Sequence, residues 1–143
     1  MKISPSYLFA LLALLVGCQA ASDSKELGTR FYEDLKAGKY ADIIAMVDPE
    51  VLQNSPAAQW ENVLRTRAAQ VGKLNDWNNN RIKTQTKNGI NFTRLRYTVD
   101  NAGKKTYELL TFRQQGDGAP RLYHYIYNEN AAPIDEAYEQ ELQ

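Results

Sequence analysis

Chemistry needs a nucleophile, an acid–base pair, a metal cage or a recognition surface. This chain of 143 residues is sparing with the first three. It has a single cysteine, Cys18, and a single histidine, His124. One cysteine can form neither an intrachain disulfide nor a cysteine-based zinc or iron–sulfur site. One histidine excludes centres built on two or three histidines, so neither a metal nor a cofactor is expected. His124 stands among Tyr123, Tyr125 and Tyr127, and a general base there needs a hydrogen-bonded partner within reach of a substrate proton. The acids nearest in sequence, Asp100, Glu108 and Asp117, each fit a turn or a solvent face, so His124 reads as structural or exposed. No Gly-rich phosphate loop, nucleophile elbow or paired-carboxylate pattern is present. With 17 basic and 17 acidic residues the chain is neutral, which argues against a general nucleic-acid binder. Bases do gather in the second half, among them Arg81, Lys83, Lys87, Arg94 and Arg96. They read either as a patch for lipid headgroups, glycan or an acidic partner, or as a solvated sheet face with Lys guarding its edges.

Cys18 is distinguished by its place. Lys2 supplies a positive start, and Tyr7 to Val16 follow with no polar group but one tyrosine hydroxyl. Ten residues are too few to span a bilayer, which takes about 20, but they suit the apolar region of an export signal. Leu15-Val16-Gly17-Cys18 resembles the lipobox of bacterial lipoproteins. That resemblance implies cleavage between Gly17 and Cys18, a diacylglyceryl thioether on the Cys18 sulfur and an acylated new amine. Removing 17 of the 143 residues leaves 126, held on a membrane by acyl chains at about 0.8 kcal/mol per buried CH₂. Residue 19 is Gln. Asp at that position retains Gram-negative lipoproteins at the inner membrane, so the resemblance implies the periplasmic leaflet of the outer membrane.

The elements that must carry these residues are legible from periodicity. Residues 18–24 are small and polar and read as a lipidated tether. Leu27, Phe31 and Leu35 form a helical stripe closed by Gly38. Tyr40, Ile43, Ile44 and Val47 make a second, shorter helix that Asp48-Pro49 stops. Ser55 as N-cap with Pro56 at the first position opens a third helix, whose buried stripe is Trp60, Val63, Leu64 and Val71. Strands are expected over 74–86, 90–99, 106–113 and 122–128. Their turns are Lys87-Asn88-Gly89, Asp100 to Gly103 and Gly116-Asp117-Gly118. Ile90 and Phe92 share one phase while Leu95, Tyr97 and Val99 share the other, which predicts a bulge near Thr93-Arg94. Tyr123, Tyr125 and Tyr127 share a phase and should face one way. The acidic tail, 129–143, holds Ile134, Ala137, Tyr138 and Leu142 at helical spacing but reads as frayed or loosely docked.

The expected fold is therefore α+β, with three N-terminal helices packed on a curved four-stranded antiparallel sheet over residues 25–128. This order resembles the cone-shaped domains of the nuclear transport factor 2-like superfamily. The resemblance rests on Phe31 to Leu35 with Gly38-Lys39-Tyr40, on Trp60 with Arg67 and Gly72-Lys73-Leu74, and on a closing hairpin of 107–112 and 122–127. It implies a cone whose inward aromatics, Trp60, Tyr97, Tyr107 and Tyr125, either line a pocket or fill a core. Enzymes of that superfamily place an acid/base Asp or an Asp–His pair in the cone. No such pair is matched here residue by residue, so the resemblance does not carry the family's catalysis over to this chain.

Three functions stay open at this point. The first is a membrane-anchored periplasmic lipoprotein acting as a non-enzymatic binding or interaction module, with an envelope protein as partner and no nucleic acid. The second is a binder of a small apolar ligand, or a cryptic enzyme, using the cone cavity. The third is an accessory subunit of an envelope assembly or secretion machine.

Overall fold

The computed structural model describes the backbone of residues 5–141 and the side chains of residues 18–141. Lys2 and Leu142 lie outside the described residues. Four helices come first: α1 (Pro5–Ala37), α2 (Tyr40–Met46), α3 (Pro49–Asn54) and α4 (Ala57–Val71). Four strands follow: β1 (Asp76–Lys87), β2 (Ile90–Asn101), β3 (Lys104–Gln115) and β4 (Arg121–Asn128). A last helix, α5 (Ala131–Glu139), closes the chain. The strands form one antiparallel meander in the order β1-β2-β3-β4. The fold is thus α+β, as the alternation of periods predicts; among the described residues four helices rather than three precede the sheet, and a fifth follows it.

The hairpins follow their turn chemistry. Asn88 and Gly89 take φ of 53° and 76° between β1 and β2, the left-handed pair that a tight two-residue turn requires. Ala102-Gly103 makes the same turn between β2 and β3, with Ala102 at φ 50°.

One face of the sheet meets the first four helices. Phe31, Tyr32, Leu35, Ile43, Trp60 and Leu64 close on Leu95, Tyr97, Val99, Leu110, Phe112, Leu122 and Tyr125. The opposite face meets α5, where Ile134 and Tyr138 close on Leu109 beside Tyr107, Ile126 and Ala137. Both faces are covered, and this corrects several expectations. Residues 93–97 of β2 are buried without interruption. The change of phase after Phe92 reflects a change of which face carries apolar residues, and β2 pairs with β3 without a register break. The register shifts lie elsewhere, between Asn79 and Arg81 of β1 and at Thr111/Phe112 of β3. The second one turns Leu122 and Tyr125 to the same face, so Tyr123 does not share their side and is 39% exposed.

Helix boundaries differ in three places. Residues 18–24, expected as a tether, continue α1, with Ala20 and Ser24 buried. Asp48-Pro49 ends α2 and also starts α3: the Asp48 side chain accepts from the Glu50 N–H at 2.9 Å, and Pro49 takes the first position. Ser55 closes that short helix and does not cap the next. In α4 the buried stripe is Trp60, Leu64, Arg67 and Val71, and Val63 is 37% exposed.

Candidate functional site

The α4 stripe runs at i, i+4, i+7 and i+11 and carries Arg67 into the centre of the helix-facing core. On β3, Thr106, Glu108, Leu110 and Phe112 share one phase, and that phase faces the same core. Arg67 and Glu108 therefore meet, at 1% and 0% side-chain exposure. Glu108 Oε1 accepts from Arg67 Nε at 3.1 Å, from Arg67 Nη2 at 2.5 Å and from the Thr106 hydroxyl at 2.7 Å. Its Oε2 accepts from the Tyr32 hydroxyl at 3.1 Å and the Tyr125 hydroxyl at 2.9 Å. Arg67 Nη2 also donates to Asn101 Oδ1 at 2.8 Å, and Asn101 Nδ2 donates to the Thr106 hydroxyl at 2.9 Å.

This network ties α1, α4, β2, β3 and β4 through one carboxylate. Burial first, and Glu108 second, push the Tyr32 and Tyr125 phenols well above the ordinary tyrosine value. Both stay protonated and act as donors. Both Glu108 oxygens are occupied by protein donors, so no lone pair faces a space where a substrate proton would sit. The arrangement is a cross-brace. Glu108 is therefore buried and not on a turn or solvent face, and Arg67 is a buried charge on a stripe where periodicity predicts apolar residues.

The four aromatics of the expected pocket separate. Trp60, Tyr97 and Tyr125 belong to the helix-facing core. Tyr107 lies on the α5 face, with the Arg96 guanidinium 4.9 Å from its ring centre. Trp60 and Tyr125 do share a shallow cleft of about 140 Å³ with Ser55, Gln59 and Val63. In the same core Tyr32 packs on Tyr97 at 4.6 Å between ring centres, and Phe31 on Tyr125 at 5.0 Å.

His124 is exposed on the α5 side. Crowding by surrounding protein and the nearby Arg94 push its imidazole below the ordinary histidine value. A catalytic carboxylate partner would push it the other way. Cys18 is exposed and free, and Gly17 lies in the α1 backbone.

Four of the bases, Arg81, Lys83, Arg94 and Arg96, meet α5 or the residue that follows it. Arg96 pairs with Asp135 at 3.0 Å, and Lys83 and Arg81 both pair with Glu139. Arg94 donates to the backbone oxygens of Tyr138, at 3.0 Å, and Gln140. Lys104 reaches Glu129 at 3.5 Å. Residues 131–139 of the tail, expected as frayed or loosely docked, form a helix docked on the sheet.

Among the described residues no cluster of three or more His, Cys, Asp or Glu side chains could hold a metal ion. Among them no helix is long and apolar enough to cross a membrane. Comparison of the chain with protein-family models, with curated protein sequences and with solved structures finds no match.

Proposed function

We propose that this chain is a lipoprotein of the bacterial envelope, anchored through Cys18. Its domain serves as a non-enzymatic interaction module on the periplasmic leaflet of the outer membrane. The single observation that carries the non-enzymatic part is the Arg67–Glu108 brace. The most polar place inside the fold is closed by protein donors, where an enzyme would keep an acid or base free beside a cavity. The anchoring part is supported by the lipobox-like Leu15 to Cys18 and by the exposed Cys18 thiol. The order of helices followed by a four-stranded meander supports a domain of the nuclear transport factor 2-like kind with a filled cone. The surfaces it offers are the sheet face beyond α5 and the acidic α5 itself. The test is Cys18→Ala expressed in a Gram-negative host and labelled with radioactive palmitate. Label is expected in the parent and lost in the variant, which should also leave the membrane fraction. Equal label in both would sink the anchor.

A further inference from the structure

The bases under α5 stand in an arrangement that the sheet alone does not favour. Arg81 lies directly opposite Arg96 across the β1–β2 pair, and Lys83 directly opposite Arg94. Like charges placed in this way destabilise a sheet. All four side chains reach toward α5. Arg81 and Lys83 meet Glu139, Arg96 meets Asp135, and Arg94 meets the backbone oxygens of Tyr138 and Gln140. Two carboxylates thus serve four cations, and among the described residues no other acid pairs with them. The docked helix leaves this basic face short of negative charge. Beside the bases lies apolar ground, formed by Tyr107, Leu109 and Ile126.

α5 is a weak occupant of this groove. It is 9 residues long, and an isolated helix shorter than roughly 12–15 residues is marginal in water. The Asn130 side chain at its N-cap makes no capping hydrogen bond, and its last turn carries no base, so neither end is secured by its own side chains. Its buried side chains are Ile134 and Tyr138, four residues apart and so on one face. Asp135 and Glu139 follow them directly, at the edge of that face. The pattern held by the groove is therefore apolar-acid-x-x-apolar-acid. Ala137 and Gln140 line a cleft of about 290 Å³ together with Arg94, and neither side chain brings a charge to it. A helix with carboxylates at those two positions would supply what α5 lacks.

We infer that the sheet face under α5 is a docking groove for an acidic amphipathic helix of a partner protein, with α5 as its intramolecular occupant, displaced when the partner binds. The inference rests on the reading of the domain as an interaction module but not on the anchor, so Cys18→Ala should bind as the parent does. The test is fluorescence anisotropy with the full chain in detergent. The probe is a labelled peptide of residues 129–143 carrying Ala137→Glu and Gln140→Glu. Saturable binding is expected, about tenfold or more tighter than that of the unsubstituted peptide and weaker in high salt. Hydrogen exchange in the chain's own α5 should speed up on binding while β2 and β3 keep their protection. A peptide with Asp135→Lys and Glu139→Lys should not bind, and Arg96→Glu in the chain should weaken the acid-enriched peptide about tenfold or more. No saturable binding of the acid-enriched peptide, unchanged α5 exchange at saturation, or equal binding of the charge-reversed peptide overturns the proposal. Dimers that exchange α5, with no peptide bound, would give the groove to a second copy and overturn it as well. If Arg96→Glu does not fold, the charge-reversed peptide on the parent chain decides.

Discussion

Arg67 and Glu108 are held 41 residues apart in sequence and 2.5 Å apart in space. Removing one partner strands the other in a dry interior, which costs about 3–5 kcal/mol. Arg67→Met should therefore lower the unfolding free energy by about that amount, read as a lower urea midpoint with an unchanged slope. A shift under about 1 kcal/mol would show that water or a rearranged side chain replaces the guanidinium. The same centre sets an alkaline limit. Tyr32 and Tyr125 have folded values above the ordinary 10.0. Between that value and the folded one the unfolded chain holds fewer protons, so stability falls as pH rises. Full stability is expected below pH 10.0 and a progressive loss above it. Tyr32→Phe and Tyr125→Phe should each flatten the loss in pH-resolved denaturant curves. None of this was visible to a reading that counts apolar residues along a stripe. In hindsight the signals are positional: Arg67 follows Trp60 by seven residues, and Glu108 keeps step with Leu110 and Phe112.

At the scale of elements, the strands and most helices could be read from turn residues and periodicity. Asn88-Gly89 and Gly72 mark their boundaries by local chemistry alone. α5 could not be read so well. Its sequence after Glu129 has acids and no base, and a helix of that kind reads as solvated. The cations that hold it, Arg96 and Arg81, lie 39 and 58 residues earlier. Its apolar anchor is small, with Ile134 and Tyr138 against Leu109, and several of its ion pairs are partly exposed and open to screening. It should therefore open before the rest of the fold. Hydrogen exchange is expected to be faster in α5 than in β2 and β3, and to speed up further in high salt. Equal protection across α5 and β3 would place the helix in the same cooperative unit as the sheet.

At the scale of the whole molecule, address and fold meet at residue 19. The Gln19 amide donates to Asp23 Oδ1 at 2.8 Å on an exposed face of α1, so the residue that sets the predicted destination carries little of the fold. On the proposed anchoring, Gln19→Asp should move the chain from the outer to the inner membrane fraction without changing its melting temperature. A variant that still fractionates with the outer membrane would show that sorting is read elsewhere.

The unbroken α1 has a mechanical consequence. Seven loose residues between anchor and domain would give a wandering radius of about 15 Å. Here residues 18–24 are helix, and Ala20 and Ser24 are clamped against the body. Gly28 sits level with Leu95 and Tyr97, and Lys36 level with Asn75, which pairs with Asp100. The helix and β2 thus point the same way, and Cys18 lies toward the Asn88-Gly89 and Gly116–Gly118 tips. A lipid on Cys18 would act as a short stalk without slack. It would press those two tips toward the bilayer and hold the Ala102-Gly103 end outward, so partners would have to come to the domain at one fixed height and pose.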